Sequence, residues 1–179
     1  DGVESIVVTA RRRDEDLQDS PVSITAFSAD ALEARQVQSI GDVGRFAPNV
    51  SLDAGANLAG SSAAITTFIR GIGQTDFNLT IDPGVGLYVD GVYVSRSVGA
   101  LLDVLDVDSI QILRGPQGTL FGKNTIGGAI VVTSRKPTKD LQGFMEVATG
   151  SFDRFDARAM LNVPVTDRLQ VRLSGSLQT

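Results

Sequence analysis

The chain has 179 residues, a net charge of −5, and neither histidine nor cysteine. That length suits one domain with a real core and a little more, and the acidic balance argues against a nucleic-acid partner, whose phosphates call for a basic face. Without cysteine there are no disulfides or thiolate metal sites, and without histidine the commonest general base is missing and no Ser-His-Asp triad can form within the segment.

Residues 1–20 are polar and charged around one apolar island, Ile6-Val7-Val8-Thr9-Ala10. The island is β-prone but too isolated to bury itself. Two readings stand: a strand that adds to another protein's sheet edge, or an edge strand of the domain that follows. Arg11, Arg12 and Arg13 are followed at once by Asp14, Glu15 and Asp16, a self-neutralising run that reads as solvated linker.

From Pro21 the pattern becomes regular. Val22, Ile24 and Ala26 alternate with Ser23, Thr25 and Phe27, which predicts a half-buried strand. Ser28 can cap a helix through about Val37, and Ser39 a second short helix with Asp42 completing an imperfect capping box. Pro48 ends it. Residues 53–64 read as a loop, followed by a strand over Ile65–Arg70 that Gly71 and Gly73 break. Residues 74–86 form a second polar loop containing Phe77. Leu87-Tyr88-Val89 and Val92-Tyr93-Val94 flank Asp90-Gly91, the favoured two-residue hairpin turn. Further strands are expected over Ser109–Leu113 and, after a glycine-rich stretch, Ala129–Thr133. Strands and short helices interleave without a regular βαβ repeat, which argues for an α+β domain with a small mixed sheet.

The character changes after about Thr138. Residues 143–150 form one candidate strand. In the next, Phe155, Ala157, Ala159, Leu161 and Val163 share one face, and Asp156, Arg158, Met160 and Asn162 the other. Leu169, Val171, Leu173, Gly175 and Leu177 then alternate with polar residues, after a short turn at Pro164–Asp167. Strands of ~9–11 residues, apolar on one side only, are the signature of a transmembrane barrel; the alternative is a half-exposed soluble antiparallel sheet. Two or three strands cannot close a barrel, so on the first reading the chain is a fragment. No apolar run approaches the ~18–20 residues of a spanning helix. No signal peptide is visible, and Asp1 suits a cleavage site already processed or a trimmed chain.

Motifs for chemistry fail on spacing. Gly118–Asn124 invites a phosphate-loop reading, but Gln117 stands where the first glycine belongs and Asn124 where a Ser or Thr must hold magnesium. The dinucleotide fingerprint is missing. Asp103, Asp106 and Asp108 do not match a calcium loop and read as turn and cap residues. An enzyme is therefore not expected, nor a resident cofactor or metal.

The run Ile110-Gln111-Ile112-Leu113-Arg114-Gly115-Pro116-Gln117-Gly118-Thr119-Leu120-Phe121-Gly122, continued by Lys123-Asn124-Thr125-Ile126-Gly127-Gly128-Ala129-Ile130 and Val131-Val132-Thr133, strongly resembles the plug domain of TonB-dependent outer-membrane receptors. Three more stretches agree in order: Glu4-Ser5-Ile6-Val7-Val8-Thr9-Ala10, which resembles the TonB box; Phe68-Ile69-Arg70-Gly71-Ile72-Gly73; and Val85-Gly86-Leu87-Tyr88-Val89-Asp90-Gly91-Val92. The resemblance covers essentially the whole chain. It implies a flexible coupling segment over residues 1–20, a plug domain over 21–138, and the first antiparallel strands of a transmembrane β-barrel over 139–179, facing outer-membrane lipid. It implies that the receptor sits in the outer membrane with plug and N-terminus toward the periplasm. It also implies that Glu4, Ser5, Ile6, Val7, Val8, Thr9 and Ala10 pair as a strand with TonB, which the inner-membrane proton gradient powers through a partner complex. Arg70 and Arg114, in the two Arg-Gly motifs, would lock the plug against carboxylates on the barrel wall. Cargo would touch the loops at 53–64, 74–83 and 95–100, with Phe77, Asn78 and Arg96 as candidates. The family's common cargo is an iron–siderophore complex, and cobalamin, saccharides and aromatic compounds are alternatives. A free-standing soluble α+β binding module is the competing reading from another class.

Overall fold

A computed structural model of the chain describes residues 7–8, 15–16, 20–53, 64–75, 81–95 and 106–178. Two compact units emerge: Asp1–Val104 with Asp108–Thr133, and Leu105–Val107 with Ser134–Thr179.

The first unit opens with a two-stranded ladder of β1 (Val7–Val8) and β2 (Glu15–Asp16), antiparallel with Val7 opposite Asp16. Its main sheet has five strands in the order β3 (Ser23–Ser28), β9 (Val107–Arg114), β10 (Gly128–Ser134), β7 (Val85–Val89), β8 (Val92–Val94). β3 runs antiparallel to β9, β10 parallel to β7, and β7 antiparallel to β8, so the sheet is mixed as the sequence predicts. β9 and β10 lie inside the sheet and are covered on both faces. That is why Ile110–Leu113, Gln111 included, and Ala129–Val132 are buried at four successive positions each and not alternately. One face packs Tyr88, Leu113, Ala129 and Val131 with Val22, Ile24 and Ala26. On the other, Val85, Leu87 and Ile130 line a small apolar cavity with Ile40, Leu52 and Ile65. β3 is a partly buried edge strand, with Phe27 the one buried residue and Ile24, Thr25 and Ala26 half-buried.

α1 (Ala29–Ala34) begins where expected, with Ser28 Oγ accepting from the Ala31 N–H at 3.3 Å. It ends three residues before Val37. Gln36 turns to φ 53°, its N–H donates to Glu33 O, and the Val37 N–H donates to Leu32 O at 3.0 Å. This is a Schellman closure with glutamine in the left-handed position that glycine usually fills. α2 (Ile40–Val43) is capped by Asp42, whose carboxylate accepts from the Ser39 N–H at 3.1 Å and Ser39 Oγ at 3.2 Å. A 3-10 turn over Gly44–Phe46 leads to Pro48.

A second sheet, β4 (Val50–Asp53), β5 (Thr66–Ile69) and β6 (Ile72–Gln74), contains two strands the sequence reading passes over. Gly71 does not break the strand; it turns it. Arg70 and Gly71 adopt φ 52° and 78°, the paired positive angles of a tight hairpin turn. Gly73 is glycine because a Cβ there would sit 2.0 Å from Thr67 O. The hairpin at Asp90-Gly91, φ 49° and 81°, is as predicted. A short helix, α3 (Gly118–Phe121), occupies part of the glycine-rich stretch.

The second unit carries a three-stranded antiparallel sheet of β11 (Gln142–Thr149), β12 (Phe155–Thr166) and β13 (Leu169–Gln178), in that order. Pro164 lies within β12 beside a register shift, not in the turn, which is Asp167-Arg168. Cross-strand register collects Met145, Val147, Phe155, Ala157, Ala159, Leu161, Val171, Leu173 and Leu177 on one face. The other takes Phe144, Glu146, Arg158, Met160, Asn162, Arg172 and Ser174. Met160 and Asn162 are buried, whereas Leu161, Leu173 and Leu177 are 48%, 65% and 57% exposed, and β11 is exposed along its whole length.

Candidate functional site

The two Arg-Gly motifs come together around Pro48-Asn49. Asn49 O accepts from the Arg70 backbone N–H at 2.8 Å, and Pro48 O from Arg114 Nη1 at 3.1 Å. β9 delivers Arg114 at its last residue, opposite Ser23 of β3, and Arg114 Nη2 lies 3.5 Å from Ile24 O. Arg114 Nε is buried and, among the described residues, has no partner. The hairpin turn presents Arg70 at the surface, with Nη1 3.6 Å from where a Cβ on Gly115 would stand. Gly115 itself is at φ 96° and its N–H is held by Gly127 O.

Two guanidiniums are thus brought to one end of the unit, and among the described residues neither has a carboxylate partner. Arg114 is met only by carbonyl dipoles. A buried N–H without an acceptor costs ~1–3 kcal/mol, and an arginine fork matches a carboxylate's two oxygens.

Of the island Glu4–Ala10, Val7 and Val8 are described, extended and paired with Asp16 and Glu15. Glu4, Ser5, Ile6, Thr9 and Ala10 lie outside the described residues, as do Phe77, Asn78 and Arg96.

The sequence reading missed a polar set in the second unit. Arg172 grips Asp106 through Nε–Oδ2 at 2.6 Å and a second bond from Nη2 to Oδ1. Asn162, at 0% exposure, holds Thr138 and Asp140. Glu146 and Arg158 pair across strands at 2.9 Å. Only this last pair carried a sequence signal, as opposite charges on the polar face of adjacent strands.

Comparison with known proteins agrees with this architecture. The sequence model of the TonB-dependent Receptor Plug Domain matches residues 16–129. The pesticin receptor of Yersinia pestis is 32% identical over 167 residues, covering 92% of this chain and 24% of its own. The iron-regulated outer membrane virulence protein of Vibrio cholerae is 28% identical, covering 96% and 27%. The crystal structure of the ferric yersiniabactin uptake receptor FyuA from Yersinia pestis superposes with a TM-score of 0.71 at 32% identity, over 86% of this chain and 24% of that one. The chain spans about a quarter of the length of the curated relatives it matches. With a plug-family match over residues 16–129 and antiparallel strands following it, the chain belongs to the TonB-dependent receptors of the bacterial outer membrane.

Proposed function

We propose that this chain is the gate and first wall of an active transporter: residues 1–20 couple to TonB, 21–138 plug the pore, and 139–179 begin the barrel. The observation that carries the reading is the apolar face that β11–β13 leave exposed. Leu161, Leu173 and Leu177, left exposed on one aligned face, cost free energy in water and gain it in lipid. A plug fold leading directly into such strands serves a pore that must stay shut until cargo arrives.

Arg70 and Arg114 act as the lock. Their unneutralised guanidiniums pair with carboxylates of the barrel wall, and the vacant hydrogen-bonding capacity of Arg114 Nε supports that role. Cargo binds on the outer side, contacting Phe77, Asn78 and Arg96, and is a ferric siderophore, the class named for several similar receptors. Residues 4–10 then pair as a strand with TonB in the periplasm. The extended pairing of Val7 and Val8 supports this, since the segment forms a backbone ladder readily. A few backbone hydrogen bonds resist a pull and release afterwards.

The test is growth on iron-limited medium of a strain lacking its own receptor, with ferric yersiniabactin or ferric pyoverdine as iron source. The full receptor restores growth. Val8→Pro removes a ladder donor and abolishes uptake while leaving cargo binding unchanged. Uptake unaffected by that substitution would place the coupling strand elsewhere, and growth on cobalamin but on no ferric siderophore would replace the cargo class.

A further inference from the structure

Two distant chain segments are fastened to one cross-strand row of the second unit's sheet. Gln142, Asn162 and Arg172 are aligned partners across β11, β12 and β13. Asn162 uses its whole amide: Oδ1 accepts from the Thr138 N–H at 3.0 Å, and Nδ2 donates to Thr138 O at 2.9 Å, Thr138 Oγ1 at 3.1 Å and Asp140 O at 2.7 Å. One strand over, Arg172 holds Asp106 by two parallel bonds, with the side chains 6% and 9% exposed. Asp106 is tied at its backbone too, since its carbonyl accepts from the Arg135 N–H at 3.0 Å.

Asp106 stands immediately before β9, the strand against which β3 pairs. Any tension entering from the N-terminus must pass through β3–β8 before it reaches Asp106. There it meets a bidentate ion pair that water and salt barely reach. A second fastening, chemically unrelated, waits at Thr138–Asp140.

We propose that Asp106, Arg172, Asn162 and Thr138 form the fixed joint of the gate. A pull from the N-terminus releases chain only as far as Asp106, and the segment from there to Asp140 stays on the barrel sheet. Asp106, Arg172 and Asn162 are positioning residues: they decide which part of the gate can leave. The proposal rests on residues 139–179 being barrel wall.

The test is force extension of the full receptor in vesicles of outer-membrane lipid extract, pulled through an Asp1→Cys handle, with residues 1–179 free of cysteine and any cysteine elsewhere in the receptor replaced by serine. The first extension ends at about 350–380 Å, the reach of the chain from position 1 to Asp106. In Arg172→Ala and in the milder Asp106→Asn, the stop moves outward by ~110 Å, the reach from Asp106 to Thr138. Asn162→Ala alone leaves the first stop in place, and the charge swap Asp106→Arg with Arg172→Asp restores it. An unchanged stop in both Arg172→Ala and Asp106→Asn overturns the joint. A wild-type stop at the expected length, with uptake indifferent to Val8→Pro, would unseat the coupling strand and leave the joint standing.

Discussion

Arg114 shows how a single side chain can be unfinished within its own fold. Its two described bonds go to carbonyls, one of them long at 3.5 Å, and its buried Nε–H has no acceptor among the described residues. A hydrogen bond from a charged donor contributes ~1.5–3 kcal/mol, so the 3.1 Å bond to Pro48 O is the main anchor inside the plug. Arg114→Ala forfeits it. Loss of about 2 kcal/mol is expected from the Pro48 bond alone, read as a lower melting temperature of the full receptor, and passive leakage of large antibiotics should rise. Arg114→Lys should recover little of this, because an ammonium cannot reproduce the planar fork. Wild-type antibiotic sensitivity in the alanine variant would argue against the lock.

At the scale of elements, local rules decide what is legible. Asp90-Gly91 announces its hairpin because both residues tolerate positive φ. Arg70-Gly71 makes the same turn unannounced, because arginine at the first position is not a turn former and the tertiary fold imposes the angle. The same override closes α1. Gln36 sits at φ 53° and is exposed. A left-handed non-glycine residue costs ~1–2 kcal/mol, so Gln36→Gly should stabilise the closure by about 1 kcal/mol, less the entropy glycine adds to the unfolded chain. Hydrogen exchange at the α1 amides of the full receptor should slow several-fold; unchanged exchange would show that α1 opens by another route. β4 stayed hidden for a different reason: Val50–Asp53 is too short to display a period. β12 and β13, at 12 and 10 residues, display it plainly. For the site, the two Arg-Gly motifs were legible as a resemblance, while their meeting at Pro48-Asn49 was not. Nor was the bond between Asp106 and Arg172, 66 positions apart. Spacing along a chain carries no information about partners that only the folded topology brings together.

For the molecule as a whole, the deciding quantity is the sign of one surface energy. If β11–β13 stood in water, their exposed leucines would be a liability, and adding charge there would be neutral or helpful, within about 0.5 kcal/mol. Against lipid the same change is costly. Leu173 lies mid-strand in β13, is 65% exposed, and faces the apolar side opposite Leu161. Arginine near the bilayer midplane costs ~2–4 kcal/mol, whereas phenylalanine there keeps the surface apolar. Leu173→Arg should therefore sharply reduce the fraction of full receptor assembled in the outer membrane, measured by heat-modifiable gel mobility, and Leu173→Phe should leave it near wild type. The soluble-module reading requires the reverse ranking, with the charged variant folding at least as well as the aromatic one. One residue outside the plug thus separates a pore wall from an ordinary sheet, independently of cargo and of TonB.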